Sequence, residues 1–235
     1  MRVILGDGLL GTAVIGETGW HYISRSKDGI DLTKTNWQQL LPIGTTEIIN
    51  LIANTDTYSD NFDKMFDVNY RAVIDLVHFC NANKIKLIHY STDYVYINSK
   101  HPAKETYKAK PQQTPYAISK LLADEYIMRN CDNYLICRGS QKPDPFPYEK
   151  GFTDVIGNFD YPDAIAEIFV ELIRGGATGL YNIGTEDKSV YELALQTNPK
   201  VEPCEAPDHF PKDLRMDLTK MKQFLDGKKE EDISL

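Results

Sequence analysis

The strongest constraint on this chain lies at its very start. A short strand-like run, Met1–Leu5, leads directly into Gly6-Asp7-Gly8-Leu9-Leu10-Gly11, and Gly8–Ile15 then reads as the start of a helix. Glycines at this spacing let the backbone turn tightly and approach a pyrophosphate, which sits on the helix N-terminus. Gly6, Gly8 and Gly11, with Leu9 and Leu10 between them, are therefore candidate cofactor-binding residues. Asp7 is no help to such a site, since its carboxylate must point away from phosphates or tolerate them poorly.

The next strand, Trp20–Ile23, ends in Ser24-Arg25-Ser26-Lys27. An NAD site usually places an acid here, about twenty residues after the first glycine, to bind the ribose 2′-hydroxyl. This chain places Arg25 between small hydroxyls instead, and a guanidinium in that setting suits a 2′-phosphate. NADP is the expected cofactor, with NAD the alternative.

Strand and helix signals go on alternating. Glu47–Ala53, Ile85–Tyr90 and Asn133–Arg138 are apolar runs of the kind buried on both faces of a sheet. Phe62–Asn81 and Tyr116–Met128 have helical spacing between them. The fold class predicted is α/β, a doubly wound parallel sheet of the Rossmann kind. Residues 1–140 are expected to form the cofactor-binding core with the catalytic residues, and 141–235 a small C-terminal substrate lobe intertwined with it. In that lobe, Lys142–Tyr148 is a proline loop, Asp163–Ile173 an amphipathic helix, and Gly179–Ile183 a strand. Ser189 with Glu192 fits a capping box. The charged tail after Gly227 is expected to fray.

A chemical constellation follows the second of these runs, Ile85–Tyr90. Ser91-Thr92-Asp93 ends one strand, and Tyr116 and Lys120 lie four apart on the next helix, so they share a face. An ammonium near a phenol favours the phenolate, which would make Tyr116 a proton donor and acceptor near neutral pH. Thr92 can hold a substrate oxygen against it.

Composition narrows the partners. The 235 residues carry a formal charge of −8. With a pI near 5.2, this argues against a general nucleic-acid or anionic-membrane binder. The N-terminus does not read as a signal peptide. Cys80, Cys131, Cys137 and Cys204 show no paired metal spacing, and no metal site is expected. A cytoplasmic, reduced setting is the simplest expectation. His89 reads as a satisfied core imidazole, and Asp56, Asp60 and Asp63 as helix-start acids. Trp20 and Trp37 read as packing residues. The Phe62–Cys80 helix is a candidate homodimer face, although a core-facing helix has the same pattern.

With these residues in view, the chain resembles the extended short-chain dehydrogenase/reductases, most closely the dTDP-4-dehydrorhamnose reductase group. The resemblance rests on GDGLLG at 6–11, HYSTDYVY at 89–96, Glu105, and YAISKLLADEY at 116–126. It implies that Asp31 and Leu32 lie beside the adenine, that Ala53 and Thr55 cover the pyrophosphate and ribose, and that Asn69 is the central-helix asparagine of a cofactor site. It further implies hydride transfer to a ketone carbon of a nucleotide-linked sugar. Tyr116 would donate the proton, Lys120 would lower the Tyr pKa and bond the nicotinamide ribose, Thr92 would orient the carbonyl, and Tyr94 would face the substrate. Apart from the resemblance, the proline loop lies just past the strand end at Arg138, on the carboxyl side of the sheet where ligands bind, and is expected to cover the sugar site. The family tryptophan after Arg138 is missing here, where the sequence reads Arg138-Gly139-Ser140-Gln141. Two rivals stand beside the reductase: a sugar-nucleotide epimerase or dehydratase, and a non-catalytic cofactor-binding subunit.

Overall fold

The computed structural model describes residues 1–34, 37–57, 61–107 and 114–233. The first half runs β1 (Arg2–Leu5), α1 (Leu9–Thr18), β2 (His21–Ile23), the single turn α2 (Arg25–Asp28), β3 (Glu47–Asn50), α3 (Phe62–Phe66), α4 (Ala72–Asn83), β4 (Lys86–Thr92), α5 (Pro115–Asn130) and β5 (Tyr134–Gly139). The second half adds β6 (Lys150–Phe152), β7 (Ile156–Gly157), α6 (Pro162–Arg174), β8 (Gly179–Asn182), β9 (Lys188–Ser189), α7 (Val190–Thr197), β10 (Glu202–Cys204), β11 (Asp213–Leu214) and α8 (Thr219–Ile233).

Six strands pair in parallel in the order β2-β1-β3-β4-β5-β8. The apolar runs alternate between two cores because successive strand residues face opposite sides. Ile4, Ile49, Ile88 and Leu135 pack with Val14 and Phe169 on one face. Val3, Leu5, Ile48, Leu87 and Ile136 pack with Val73, Leu76 and Ile127 on the other. The chain leaves β1 for β2 on one side and later returns to β3 on the other. That reversal of strand order opens a crevice at the carboxyl end of β1, where ligands bind in such sheets.

The second half contributes to these layers as well as to a lobe. β8 pairs with β5, and α6 packs on α1. Buried Arg138 joins three elements: its Nε donates to Asp124 at 2.8 Å and its Nη1 to the Tyr96 hydroxyl at 2.7 Å, which in turn donates to Asn182 in β8. The lobe has its own apolar cluster, in which Phe146, Phe159, Tyr161 and Leu193 pack together. The Ser189–Glu192 capping box forms at the start of α7.

Several expectations need correction. The Phe62–Asn81 helix is interrupted by a π-helical turn at Asp67–Arg71, whose wider ring turns Asn69 inward. The charged tail after Gly227 is helical, with α8 continuing to Ile233. The proline loop does not lie wholly over the cleft. Phe146 is buried in the lobe cluster and its amide donates to Thr197, so that part of the loop is an anchor. Trp37 is buried edge-on against Phe79. Asp60 lies outside the described residues. Among the described residues no helix is long and apolar enough to cross a membrane.

Candidate active site

The glycine turn is shaped by close approach. Gly6 has φ +104°, a conformation that side-chain-bearing residues rarely adopt. A Cβ on Gly11 would stand 2.3 Å from the Gly6 carbonyl oxygen, so only glycine allows this packing. A Cβ on Gly8 would meet nothing within 4 Å, which leaves the mouth of the turn open. It faces two connected spaces. One, of about 800 Å³, is lined by Gly6, Arg25, Asp31, Leu32, Ala53 and Thr55. The other, of about 380 Å³, is lined by Leu10, Gly11, Thr92, Tyr94, Tyr116 and Lys120. Leu9, Ala53 and Thr55 also border the second, so the two halves run together past the loop after β3. A larger cleft of about 990 Å³ lies between α1 and α6. It is lined by the carboxylates Glu17, Asp163 and Glu167, an unsuitable wall for phosphates, and holds no member of the Thr–Tyr–Lys set.

Each side chain of the Thr–Tyr–Lys set is placed by its element. Thr92 is the last residue of β4 and is buried; its hydroxyl caps the following turn by accepting from Tyr94 N at 3.2 Å. It donates to Asp93 at 3.1 Å and lines the same space as the Tyr116 phenol. Tyr116 stands in the first turn of α5, which Thr114 caps at the Ala117 amide. The Tyr94 ring meets the Tyr116 ring edge-on at 6.1 Å. Lys120, one turn further, is 2% exposed. Its Nζ donates to the Tyr90 carbonyl at 2.8 Å and lies 3.1 Å from His89 Nε2. His89 is in turn 3.1 Å from the Asn50 amide.

The electrostatics depart from the sequence expectation. Tyr116 is not drawn down by Lys120. Burial, only partly offset by the neighbouring Thr92 hydroxyl, pushes its phenol up to about 12. Lys120 moves the other way, lowered to about 8 by burial despite the nearby Asp124 carboxylate. The reason is geometric: the Lys120 amine is engaged with Tyr90 and His89 rather than with the phenol. A phenol that holds its proton is the form needed to donate it. Asp93 is raised to about 6, chiefly by burial, with Lys142 and its hydrogen bonds pulling against that rise.

Asn69 differs from its expected place. It is 1% exposed and lines neither space. Its Oδ1 accepts from Asn54 N at 2.7 Å, and its Nδ2 donates to the Asn54 carbonyl at 2.9 Å and to Ser119 at 3.1 Å. It therefore pins the loop that carries Ala53 and Thr55 to α5. Glu105 sits away from the reacting set and accepts from the Asn182 amide. Sequence reasoning missed His89 and Asn50 as supports of Lys120, and Gln141 and Lys142 as pocket walls. A buried histidine on the strand that faces a YxxxK helix was the available signal for the first pair.

A parallel sheet with a glycine cradle at its switch point, and a Thr–Tyr–Lys set beside it, defines the extended short-chain dehydrogenase/reductase class. Residues 2–142 match the family model described as the RmlD substrate binding domain, and the chain belongs to that family. No curated protein sequence matches it. Among solved structures it is similar to the dTDP-4-dehydrorhamnose reductase of Bacillus anthracis in complex with NADP, at 19% identity and TM-score 0.78, over 100% of this chain and 98% of that one. It is also similar to a hypothetical dTDP-4-dehydrorhamnose reductase from Sulfolobus tokodaii, at 23% identity and TM-score 0.79, over 95% and 94%. The Bordetella bronchiseptica enzyme WbmG in complex with NAD and UDP is matched at 15% identity and TM-score 0.77, over 96% and 87%. At these identities the likeness carries the fold.

Proposed function

We propose that the chain is an NADP-dependent reductase of a nucleotide-linked 4-keto sugar, similar in its chemistry to the dTDP-4-dehydrorhamnose reductases. The observation that carries this reading is that Thr92, Tyr116 and Lys120 line one end of a cleft that continues into the glycine cradle. The open mouth at Gly8 and the close packing at Gly11 fit a dinucleotide pyrophosphate at the N-terminus of α1. Gly6, Gly8, Leu9, Leu10 and Gly11 would hold it there. Asp31 and Leu32 would flank the adenine, Arg25 the adenosine ribose, and Ala53 and Thr55 the span between.

When bound, the reduced nicotinamide supplies a hydride to the ketone carbon. Thr92 holds the carbonyl oxygen against the Tyr116 phenol, whose proton passes to that oxygen as charge develops on it. Lys120 stands ready to bond the nicotinamide ribose. Tyr94 forms the substrate side of the pocket. Asn69 acts through the loop it fixes and not through contact.

Tyr116→Phe tests this reading. The ring and its packing stay, and only the proton donor is lost. General acid catalysis contributes about a hundred- to ten-thousandfold. Single-turnover NADPH oxidation with a panel of 4-keto sugar nucleotides should fall by at least that factor while NADPH affinity stays unchanged. Parental turnover in the variant would remove Tyr116 from the mechanism.

A second reading draws on one observation, the buried Asp93 carboxyl beside Thr92, which could serve as the further acid or base of an epimerase or dehydratase. Stoichiometry separates the two: the reductase consumes one NADPH per product, whereas the rival returns its cofactor unchanged.

A further inference from the structure

The glycine turn contributes more than its backbone. The Asp7 carboxylate, on the residue between the first two glycines, accepts a hydrogen bond from the Ser26 hydroxyl just after β2. Ser26 Oγ lies 3.0 Å from Ser24 Oγ, and Ser24 N donates to Asp28 at 3.0 Å. The carboxylate is thus held across the gap between the ends of β1 and β2. In a sheet of this kind the adenosine ribose is read at the end of β2. Asp7, Arg25 and Asp31 line the same 800 Å³ space. Ser26 and Ser24 hold the Asp7 carboxyl below its usual range, so it is ionised at neutral pH.

We propose that Asp7 is a specificity-determining residue, which accepts hydrogen bonds from the adenosine ribose hydroxyls and opposes a 2′-phosphate there, against the pull of Arg25. This rests on the cofactor site assigned above. The acid that an NAD site usually carries at the end of β2 is here supplied from the neighbouring loop, and Ser26 fixes its direction. A ribose diol can donate to the carboxylate. A 2′-phosphate cannot donate when fully ionised, and it brings a second negative charge to the same wall. The Ser26 hydroxyl, already donating to Asp7, does not offer that proton to a phosphate. Arg25 on the same rim favours the phosphate and so opposes Asp7, within a wall that also carries Asp31, Lys34, Asp63, Lys64 and Asp67.

The test measures affinity alone. NADPH, NADH and the fragments 2′,5′-ADP and 5′-ADP are titrated by calorimetry against the parent, Asp7→Asn, Asp7→Ser and Arg25→Ala. A charge-assisted contact corresponds to about ten- to a hundredfold in affinity. Asp7→Asn should raise the NADPH-to-NADH affinity ratio by about tenfold or more, with the fragments following, and Arg25→Ala should lower it. Asp7→Ser guards against a folding defect peculiar to one variant. A ratio unchanged within about twofold in both Asp7 variants, with both dinucleotides still bound, overturns the proposal and leaves the reductase reading standing. A parent that binds neither dinucleotide overturns both. Equal weakening of both cofactors assigns Asp7 a structural role only, and also overturns the proposal.

Discussion

At the reacting end of the cleft, burial moves two groups in opposite directions: Tyr116 is pushed up to about 12 and Lys120 down to about 8. The lysine is therefore charged below about pH 8 and neutral above it, while the phenol keeps its proton throughout. A ribose contact made by the ammonium is present at pH 7 and lost as pH rises through the lysine's own range. NADPH affinity should therefore weaken by about tenfold between pH 7 and 9.5, as expected for losing one charged hydrogen bond. Lys120→Met should bind more weakly at pH 7 and show no such trend. Fluorescence titration across that range checks it, and a flat parental profile would detach Lys120 from the cofactor. Thr92, Tyr116 and Lys120 were legible in the sequence because one helical turn and one strand end fix their spacing. The His89–Asn50 support was not, because it is built across strands far apart in sequence. The direction of the Tyr116 shift was not legible either, since it depends on how much water the folded pocket leaves around the phenol.

Among the elements, the π-helical turn at Asp67–Arg71 does the most to join fold and site. It aims Asn69 at both backbone groups of Asn54 and at Ser119 in the catalytic helix. Asn69→Ala leaves the half-buried Asn54 N–H and C=O without this partner, a loss of about 1–3 kcal/mol. Urea unfolding should show a loss in that range, and NADPH should bind less tightly because the Ala53–Thr55 loop is no longer held. An unchanged cofactor affinity would confine Asn69 to stability. The regular strands and α5 were legible because apolar runs and helical spacing are local signals. The π turn was not, since one extra residue per turn hardly alters an apolar pattern. The continuation of α8 past Gly227 went unread because charge and glycine both suggested an end. Phe146 had no readable direction, as prolines fix an extended backbone without saying which core a neighbouring ring will enter.

On the scale of the whole molecule, the two halves of the chain share one sheet. β8 forms the far edge beside β5, and α6 covers the face on which Ile4, Ile49 and Ile88 pack. A fragment ending at residue 140 keeps the glycine turn and all three reacting residues, yet lacks Phe169, Leu172, Ile173 and Tyr181 of the shared core. Such a fragment is expected to lack a cooperative urea transition and to bind no NADPH, whereas the full chain shows both; a cooperatively folded fragment would make 1–140 an autonomous unit. The parallel topology was legible from alternating strand and helix signals. That the last strand of the sheet would come from the second half was less so, because Gly179–Ile183 is short and its partner is not its neighbour in sequence. This arrangement also bears on synthesis. On the ribosome, β5 emerges before β8, with residues 140–178 still to be made. At bacterial and eukaryotic elongation rates of about 5–20 residues per second, that delay is roughly 2–8 s. Throughout it the nascent chain presents an unpaired, apolar strand edge to whatever surrounds it or to whatever chaperone reaches it first.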